Sequence, residues 1–288
     1  MTSTLISPVR FNIALEDGSL AGLHWPNPDK PPLLFCHATG FCASTYKHML
    51  AQLADQFDVY AIDMRGHGKT NLPINPSELK SWHIYASDIQ KFLDIENRNG
   101  WTIAGHSMGG VTAVTAADGR DDIKAVRLVE PVAVSSALNL LARTPLWEWY
   151  KAKMPLVKQA AGRRATWADR DEVIKAYSRK RLFSSWAPGA LENYLEDGLK
   201  AGGDGVGLSC HPEWEAATFG ALANRFWPVL RAIGSKTKLL AVRHPTSTVP
   251  AFAHKRLAAL VDTFEVMDGA SHLAPMESPK EIAQFISA

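Results

Sequence analysis

The chain has 288 residues, of which 46% are hydrophobic and 21% charged, and this is long enough to bury a substantial core in one large domain or in one domain with an insertion. Its net charge of +2 at pH 7 creates no long-range field that would attract nucleic acid or an acidic membrane surface. No apolar run approaches the ~20 residues that a membrane-spanning helix needs, and the first residues lack the basic and apolar segments of a signal peptide. We therefore expect a cytoplasmic protein without a nucleic-acid or membrane partner.

Strand and helix signals alternate through the first half of the chain. The segment FNIALEDGSLAGLHW predicts a hairpin that turns at Asp17-Gly18. Short apolar runs typical of buried strands follow at PPLLFCH, FDVYAID, WTIAG and IKAVRLVE. Between them lie helix-like segments, STYKHMLAQLAD, SWHIYASDIQKFLDIENR and SMGGVTAVTAAD. This alternation predicts an α/β fold with a mostly parallel central sheet flanked by helices.

The pattern changes from about Val132 to Phe219. Strand-like runs vanish there and tryptophans occur among charged helical stretches, which predicts a helical cap inserted at residues 132–219. Strand signals resume in TKLLAVR and TFEVMDG, and SPKEIAQFIS has the Ser-Pro start and the apolar spacing of a closing helix. Residues 1–131 and 220–288 are therefore assigned to the core.

The three cysteines, Cys36, Cys42 and Cys210, cannot all pair with one another. Their spacing matches neither a redox motif nor a set of zinc ligands. We expect buried, reduced thiols, and we predict neither a metal nor a cofactor.

The segment WTIAGHSMGG carries the first chemical signal. It places Ser107 in a G-x-S-x-G motif directly after a strand and at the start of a helix, the context of a nucleophile elbow, in which glycines permit a sharp turn that exposes the serine. The helix start adds free N–H groups and a positive dipole end near a developing oxyanion. The alternative is a glycine-rich turn with an incidental serine.

The segment GASHLAPMESP, after the last strand, supplies a candidate base. A serine hydroxyl needs a base within hydrogen-bond reach, and the imidazole of His272 titrates in the useful range. Its place after the final strand favours a general base over an ordinary surface histidine.

Acyl transfer also needs two backbone N–H donors for the oxyanion. Met108, which follows the nucleophile, is one candidate, and the loop after LLFCH provides the other. Thr39 is our candidate in that loop, with Ala38 the second choice; the loop could also be a structural turn only.

Together with two other segments, the GHSMGG motif around Ser107 resembles that of the α/β-hydrolase fold superfamily, in particular of its cap-bearing members. AIDMRGHGKT at residues 61–70 is similar to the D-x-R-G-H-G-x-S loop common there, and GASHLAPMESP resembles the histidine loop of that superfamily. The resemblance implies an α/β-hydrolase core with serine hydrolase chemistry. Two positions depart from the pattern, because Ala38 follows His37 where glycine is more frequent, and the acid that would align near Thr248 is absent.

Glu130 is our candidate for the missing acid. A strand–helix–strand unit returns the chain to the same edge of a parallel sheet, so Ser107 and Glu130, each after a strand, both stand at the carboxyl edge. Certain haloalkane dehalogenases of the superfamily are similar in carrying their acid at this earlier strand end. A Glu130 oxygen within ~3.2 Å of a ring nitrogen of His272 is expected. The alternatives are a solvated or arginine-paired Glu130, and Asp268 as the acid.

The sequence thus predicts a serine hydrolase that cleaves an uncharged, moderately apolar ester or related acyl substrate through an acyl-enzyme. Ser107, His272 and Glu130 would form the triad, and N–H groups of Met108 and Thr39 the oxyanion hole. Carbon–carbon hydrolases, lactonases and thioesterases of the same fold are not separated from esterases, because they differ in cap and pocket shape. A non-catalytic receptor for a small ligand is the alternative from another class.

Three weaker signals remain. Asp63, Arg65 and His67 are expected to brace a loop near the site rather than to take part in chemistry. Residues 163–181 contain seven Lys or Arg against three Asp or Glu, which indicates either solvated surface or a patch for an anionic acyl donor. Aromatic residues of the predicted cap could line an acyl pocket or form the cap's own core: Trp147, Trp149, Trp167, Phe183 and Trp186.

Overall fold

The computed structural model describes residues 6–203 and 205–288. Its strands are β1 (Val9–Leu15), β2 (Gly18–Trp25), β3 (Pro32–Cys36), β4 (Asp58–Ile62), β5 (Trp101–His106), β6 (Ile123–Val129), β7 (Thr166–Trp167), β8 (Leu199–Gly202), β9 (Gly205–Leu208), β10 (Thr237–Val242) and β11 (Thr263–Met267). Eight of them form one sheet in the order β1-β2-β4-β3-β5-β6-β10-β11. The first two pairings are antiparallel and the others are parallel, so the predicted mostly parallel sheet is confirmed.

The helices of the described residues vary from one turn to 14 residues. They are α1 (Lys47–Leu50), α2 (His83–Glu96), α3 (Met108–Ala116), α4 (Ser136–Leu141), α5 (Leu146–Lys151), α6 (Pro155–Ala161), α7 (Arg170–Tyr177), α8 (Ala190–Gly198), α9 (Pro212–Gly220), α10 (Phe226–Ile233), α11 (Ala251–Ala258), α12 (Ala274–Glu277) and α13 (Pro279–Ser287), with 3₁₀ turns at Ala43–Tyr46, Arg181–Phe183 and Gly234–Lys236. None of the helices in these two ranges is long and apolar enough to cross a bilayer.

Helices cover both faces of the central sheet. Strands β3, β4 and β5 are buried along their whole length, as expected for parallel strands with apolar runs. Alternate residues of β3 enter different apolar clusters: Leu34 and Cys36 pack in one, and Leu33 and Phe35 in the other. The core therefore has two layers, one on each face of the sheet.

The strand order determines where the chemistry-bearing loops meet. Strands β5, β6, β10 and β11 are consecutive neighbours and run parallel, so the residues after their carboxyl ends lie along one edge. His106 pairs with Val129 at the end of β5 and β6, which places Ser107 beside Glu130. The loops after β10 and β11 complete this edge.

The segment between β6 and β10 contains the helices predicted for the cap and also an unpredicted element. Strands β7, β9 and β8 form a separate three-stranded antiparallel sheet. They have only two to four residues each, too few for the alternation that reveals a strand in sequence.

Two local predictions differ from the structure. The hairpin turns at Glu16 and Asp17, one residue earlier than expected, because Leu15 already pairs with Gly18. The helix predicted from STYKHMLAQLAD is a 3₁₀ turn followed by the single turn of α1. Its apolar residues are nonetheless buried, so the periodicity predicted which side chains pack in the core although the segment does not form one long helix.

All three cysteines are buried and unpaired, as predicted. Burial raises the pKa of the Cys36 and Cys42 thiols to about 12, so both are neutral at physiological pH.

Candidate active site

Ser107 stands on a strained turn between β5 and α3. Its backbone has φ 58° and ψ −119°, a conformation that side-chain-bearing residues rarely adopt. The flanking glycines are required by close packing: a Cβ on Gly105 would lie 2.2 Å from the carbonyl oxygen of Gly109, and one on Gly109 would lie 2.2 Å from that of Cys36. The turn thus presents the hydroxyl at the start of α3.

His272 faces this hydroxyl. Its Nε2 lies 3.0 Å from Ser107 Oγ, within hydrogen-bond distance. The side chain is 18% exposed, whereas Ser107 is 7% exposed, so the pair is largely shielded from water. The arrangement allows the imidazole to remove the hydroxyl proton when the serine attacks.

Glu130 lies on the other side of the imidazole. Its Oε2 is 3.1 Å from His272 Nδ1, which meets the distance expected for a triad acid. The carboxylate is fully buried, and its backbone has φ 48°. A buried carboxylate needs several donors, and Glu130 has them, because Oε1 accepts from the Val242 N–H at 2.6 Å and the Ser247 hydroxyl at 2.8 Å.

The loop in which the acid is missing holds this carboxylate. The Thr248 N–H donates to Glu130 Oε2 at 2.9 Å, and the Thr248 hydroxyl donates to the Glu130 carbonyl oxygen at 2.8 Å. Thr248 Oγ1 is also 3.4 Å from His272 Nδ1. The position that aligns with the usual acid is therefore next to the imidazole but serves as a donor to Glu130. Sequence reasoning missed this role of Ser247 and Thr248, since hydroxyl-bearing loop residues carry no distinctive pattern.

In the loop after β3, the N–H groups on either side of Thr39 are already bonded. Ala38 donates to the Tyr46 hydroxyl at 3.1 Å, and Gly40 donates to His67 Nε2 at 3.1 Å. The N–H of Ala38 is therefore committed elsewhere, which disfavours it as an oxyanion donor.

The N–H groups of Thr39 and Met108 have no acceptor within the described parts of the chain. Both residues are nearly buried, and Met108 is the first residue of α3. An unbonded buried N–H is uncommon in a folded protein and is costly unless a ligand satisfies it. The structure thus leaves open the two donors that the sequence singled out.

A buried chain of hydrogen bonds joins three loops of the site. The Tyr46 hydroxyl, which accepts from Ala38, lies 2.8 Å from His106 Nδ1, and His106 Nε2 lies 2.8 Å from the His272 carbonyl oxygen. Since that carbonyl can only accept, His106 carries its proton on Nε2 and accepts from Tyr46 at Nδ1. Burial, with His272 nearby, lowers the pKa of His106 well below its usual range, so the ring is neutral. Neither Tyr46 nor His106 was singled out from sequence, because no motif marks a contact between two buried residues 60 positions apart.

The structure shows loop-bracing contacts, as expected, for Asp63, Arg65 and His67. Asp63 accepts from two backbone N–H groups at 2.8 and 2.9 Å. Arg65 makes two bonds to Asp88, at 2.9 and 2.8 Å. His67 fixes Gly40, and burial lowers its pKa to about 4. Burial raises the pKa of Asp63 to about 7, against the effect of its two N–H donors.

The alternative acid, Asp268, lies outside the site. Its carboxylate pairs with Arg243 at 2.7 Å, and both side chains are 72% exposed. Among the residues that the structure describes, no group of three or more His, Cys, Asp or Glu side chains is arranged to hold a metal ion.

A paired arginine of the predicted cap lies against the loop that contains Thr39. Arg163 Nη1 binds Glu215 at 2.7 and 2.9 Å, and its Nη2 binds the hydroxyls of Tyr177 and Tyr194 at 3.0 and 2.9 Å. A Cβ built on Gly40 would lie 2.5 Å from Glu215 and 3.7 Å from Arg163. One cation of the basic 163–181 stretch is thus half-buried and paired with a carboxylate beside the loop of Thr39.

The aromatic residues of the predicted cap fall into two groups. Trp149 is 65% exposed and carries Lys153 over its ring, so it lines no buried pocket. The others are buried: Trp147, Trp167, Phe183 and Trp186. Trp186 packs on Phe41, two residues after Thr39, with ring centroids 5.7 Å apart.

Comparison with known proteins agrees with this fold. A model of the alpha/beta hydrolase family matches residues 33–285. The 3-oxoadipate enol-lactonase 2 of Acinetobacter baylyi is 22% identical over 283 residues, which cover 96% of this chain and 94% of that protein.

A shorter match is closer in sequence. The dihydrolipoyllysine-residue acetyltransferase component of the acetoin cleaving system of Cupriavidus necator is 32% identical over 108 residues, 37% of this chain and 28% of that protein. The chain thus spans less than a third of that relative.

Among solved structures, E-2-(acetamidomethylene)succinate hydrolase superimposes with a TM-score of 0.76 at 21% identity, over 98% of this chain and 100% of the other. A thioesterase domain from the curacin biosynthetic pathway superimposes with a TM-score of 0.75 at 16% identity, again over 98% and 100% of the two chains. At these identities the likeness shows the shared fold.

Proposed function

We propose that this chain, which belongs to the alpha/beta hydrolase family, is a serine hydrolase that cleaves an uncharged, moderately apolar ester or related acyl compound. One observation carries the proposal: His272 lies 3.0 Å from the Ser107 hydroxyl and, through its other ring nitrogen, 3.1 Å from the buried carboxylate of Glu130. An ordinary surface histidine would not lie within hydrogen-bond distance of both a serine on a strained turn and a buried carboxylate.

The geometry supports a two-step reaction. Ser107 Oγ attacks the carbonyl carbon while His272 Nε2 takes the hydroxyl proton, and the Glu130 carboxylate stabilises the imidazolium through Nδ1–H. The N–H groups of Met108 and Thr39 donate to the oxyanion. His272 then protonates the leaving group. A water molecule, deprotonated by the same imidazole, attacks the acyl-enzyme, releases the acid and restores the Ser107 hydroxyl.

The state of Arg163 supports an uncharged acyl group. Its guanidinium is a cation of the predicted cap beside Gly40, and Glu215 and two tyrosine hydroxyls already accept from its two terminal nitrogens. A carboxylate on the substrate would have to displace Glu215 from a partly buried ion pair, which costs free energy.

A lactone is the second candidate substrate. A relative that matches nearly the whole chain is named as an enol-lactonase, and a lactone is an internal ester that the same serine and imidazole would open. Thioester and carbon–carbon bond hydrolysis remain further possibilities of the same machinery. The cytoplasmic location expected from the sequence stays a prediction.

The direct experiment is labelling with a fluorophosphonate, followed by intact-mass measurement of wild type and Ser107→Ala. The proposal expects one adduct on wild type and none on the variant. A folded wild type that stays unmodified would favour the receptor alternative.

Substrate preference is then read from hydrolysis rates on nitrophenyl esters of increasing acyl length, a simple lactone and an acyl thioester. A faster rate on the esters supports the first candidate, and a faster rate on the lactone supports the second.

A further inference from the structure

Four arginines from three parts of the chain line a cleft of about 230 Å³, and neither Ser107 nor His272 is among the residues that line it. Arg143 follows α4, Arg225 precedes α10, Arg231 lies on α10 and Arg256 lies on α11. The cleft has no acidic residue among the described residues that line it. Its positive charge is thus local, in a chain whose net charge is only +2.

The four guanidinium groups have no carboxylate partner in the parts of the chain that the structure describes. In contrast, Arg65, Arg120 and Arg163 each pair with an aspartate or glutamate. The field of the cleft reaches α2, where burial and then the charges of Arg225 and Arg143 lower the pKa of His83. Four unpaired like charges repel one another, so an anion in the cleft would relieve this repulsion.

Two of the guanidinium groups are already held in place by neutral contacts. Arg256 lies over the ring of Trp227, 3.9 Å from its centroid, and its Nη1 is 3.4 Å from Ser136 Oγ. Arg143 Nε donates to Asn139 Oδ1 at 3.3 Å. These contacts use few of the five N–H donors of each group and reduce the entropy that binding would cost.

We propose that this cleft binds the phosphate groups of a small phosphate compound that carries several negative charges. Guanidinium groups match phosphate oxygens in paired, charge-assisted hydrogen bonds, and four of them suit more than one phosphate group. The volume of about 230 Å³ is below the ~300–1,000 Å³ of sites that enclose a whole drug-sized ligand. A diphosphate fits this size better than an entire nucleotide, whose organic part would remain outside.

The cleft is connected to the candidate active site by two contacts. The Trp227 indole donates to the Val134 carbonyl oxygen at 2.8 Å, and the adjacent Ala133 N–H donates to the Thr248 carbonyl oxygen at 3.1 Å. A ligand here would therefore bind next to the segment that supports the Glu130 loop. The binding proposal itself does not depend on the hydrolase proposal.

The test is calorimetric titration of the 288-residue chain with inorganic diphosphate, at low and at physiological salt. We expect saturable binding at one site that weakens with salt. The variant Arg225→Gln/Arg231→Gln should weaken binding about 100-fold, because it removes two guanidinium groups and the charge-assisted hydrogen bond of each contributes about tenfold. Its matched control, Arg179→Gln/Arg181→Gln, removes the same charge from two exposed arginines of the predicted cap and should leave the affinity unchanged.

Three results would overturn the proposal: no saturable binding of diphosphate, equal weakening by the two double variants, or equally tight binding of a tricarboxylate. Circular dichroism of each variant verifies that it is folded. Titration with a nucleoside diphosphate distinguishes the two phosphate sources. Tighter binding than inorganic diphosphate supports an organic diphosphate, and weaker binding supports the free ion.

Discussion

Positive backbone φ angles coincide with the two strand ends that carry the proposed nucleophile and acid. Ser107 and Glu130 are two of the three described residues other than glycine with positive φ, and the third, Asn97, ends α2. Such a conformation costs roughly 1–3 kcal/mol at a residue with a side chain and persists only where the surroundings impose it. At Ser107 this conformation is imposed by the close contacts of Gly105 and Gly109. At Glu130 it is imposed by the donors around the carboxylate.

Relief of this strain at Ser107 is measurable. Ser107→Gly should be more stable than Ser107→Ala by about 1 kcal/mol, because glycine adopts positive φ without the clash of a Cβ, although it loses more chain entropy. Neither variant should react with a fluorophosphonate. Urea unfolding of both variants gives the difference, and an alanine variant as stable as the glycine variant would show that the turn is unstrained.

Tyr46 connects the loop of Thr39 to the loop of His272 through His106. Tyr46→Phe keeps the ring but leaves the Ala38 N–H and His106 Nδ1 without partners, and each unsatisfied buried group costs about 1–3 kcal/mol. We expect lower stability together with roughly tenfold slower acylation, because both loops lose a shared anchor.

The matched control for this variant is Tyr150→Phe. Tyr150 is a half-exposed tyrosine of α5 with 41% exposure. Loss of stability in Tyr46→Phe with a fully retained acylation rate would show that the link is structural only.

Local patterns predicted Ser107 and His272, because the elbow and the histidine loop are contiguous in sequence. Glu130 required an argument from sheet topology, since it is separated from His272 by 142 positions. The Tyr46–His106 link could not be predicted, as two ordinary buried residues reveal their contact only after the chain folds. Their side chains follow no spacing rule.

The loops after β6 and β10 together provide the proposed acid and the hydrogen bonds that hold it. The carboxylate comes from Glu130 at the end of β6, and the loop after β10 supplies donors to it from Ser247 and Thr248. Thr248 Oγ1 lies 3.4 Å from His272 Nδ1, so a carboxylate at this position would also reach the imidazole.

This geometry predicts that a carboxylate at residue 248 can partly replace that of Glu130. Glu130→Gln should slow acylation about 10³–10⁴-fold, as loss of a triad acid does elsewhere. Adding Thr248→Asp to that variant should recover part of the loss, by about tenfold or more, since the new carboxylate would stand beside Nδ1. Glu130→Gln/Ser247→Asp is the control, because Ser247 bonds the carboxylate oxygen that faces away from the imidazole. Equal rates for the two double variants would contradict the interpretation.

The sequence predicted long and buried elements better than short ones. Runs such as FDVYAID and WTIAG formed the expected strands because they are mostly apolar and are buried along their length. Strands β7, β8 and β9 were missed because two to four residues give no alternation to detect. The helix predicted from residue 44 is instead a 3₁₀ turn followed by one α-helical turn. No residue in the segment is a typical helix-capping signal for this break.

Across the protein, buried titratable groups link stability to pH. His37, His67 and His106 are buried with lowered pKa values, so unfolding must add protons to them below their usual pKa of about 6.5. Their contribution to stability is complete above pH ~6.5 and decreases as pH falls. Asp63, whose pKa burial raises to about 7, acts in the opposite direction, because its folded form binds a proton that the unfolded chain releases.

The contribution of His67 can be isolated by substitution. Its pKa of about 4, against 6.5 in the unfolded chain, corresponds to about 3 kcal/mol lost between pH ~6.5 and ~4. His67→Gln keeps an acceptor for the Gly40 N–H but cannot titrate, so it should lose stability less steeply over this range. Urea unfolding of wild type and variant between pH 4 and 8 measures the two slopes, and parallel curves would contradict the prediction.

The role of Glu130 is measured most directly by the rate of fluorophosphonate labelling at neutral pH in Glu130→Gln and in Asp268→Asn. Both changes replace a carboxylate by an amide, one beside His272 and the other in an exposed ion pair with Arg243. We predict that Glu130→Gln reacts about 10³–10⁴-fold more slowly than wild type, and that Asp268→Asn reacts at the wild-type rate. A Glu130→Gln protein that labels as fast as wild type would contradict the triad proposed for this site.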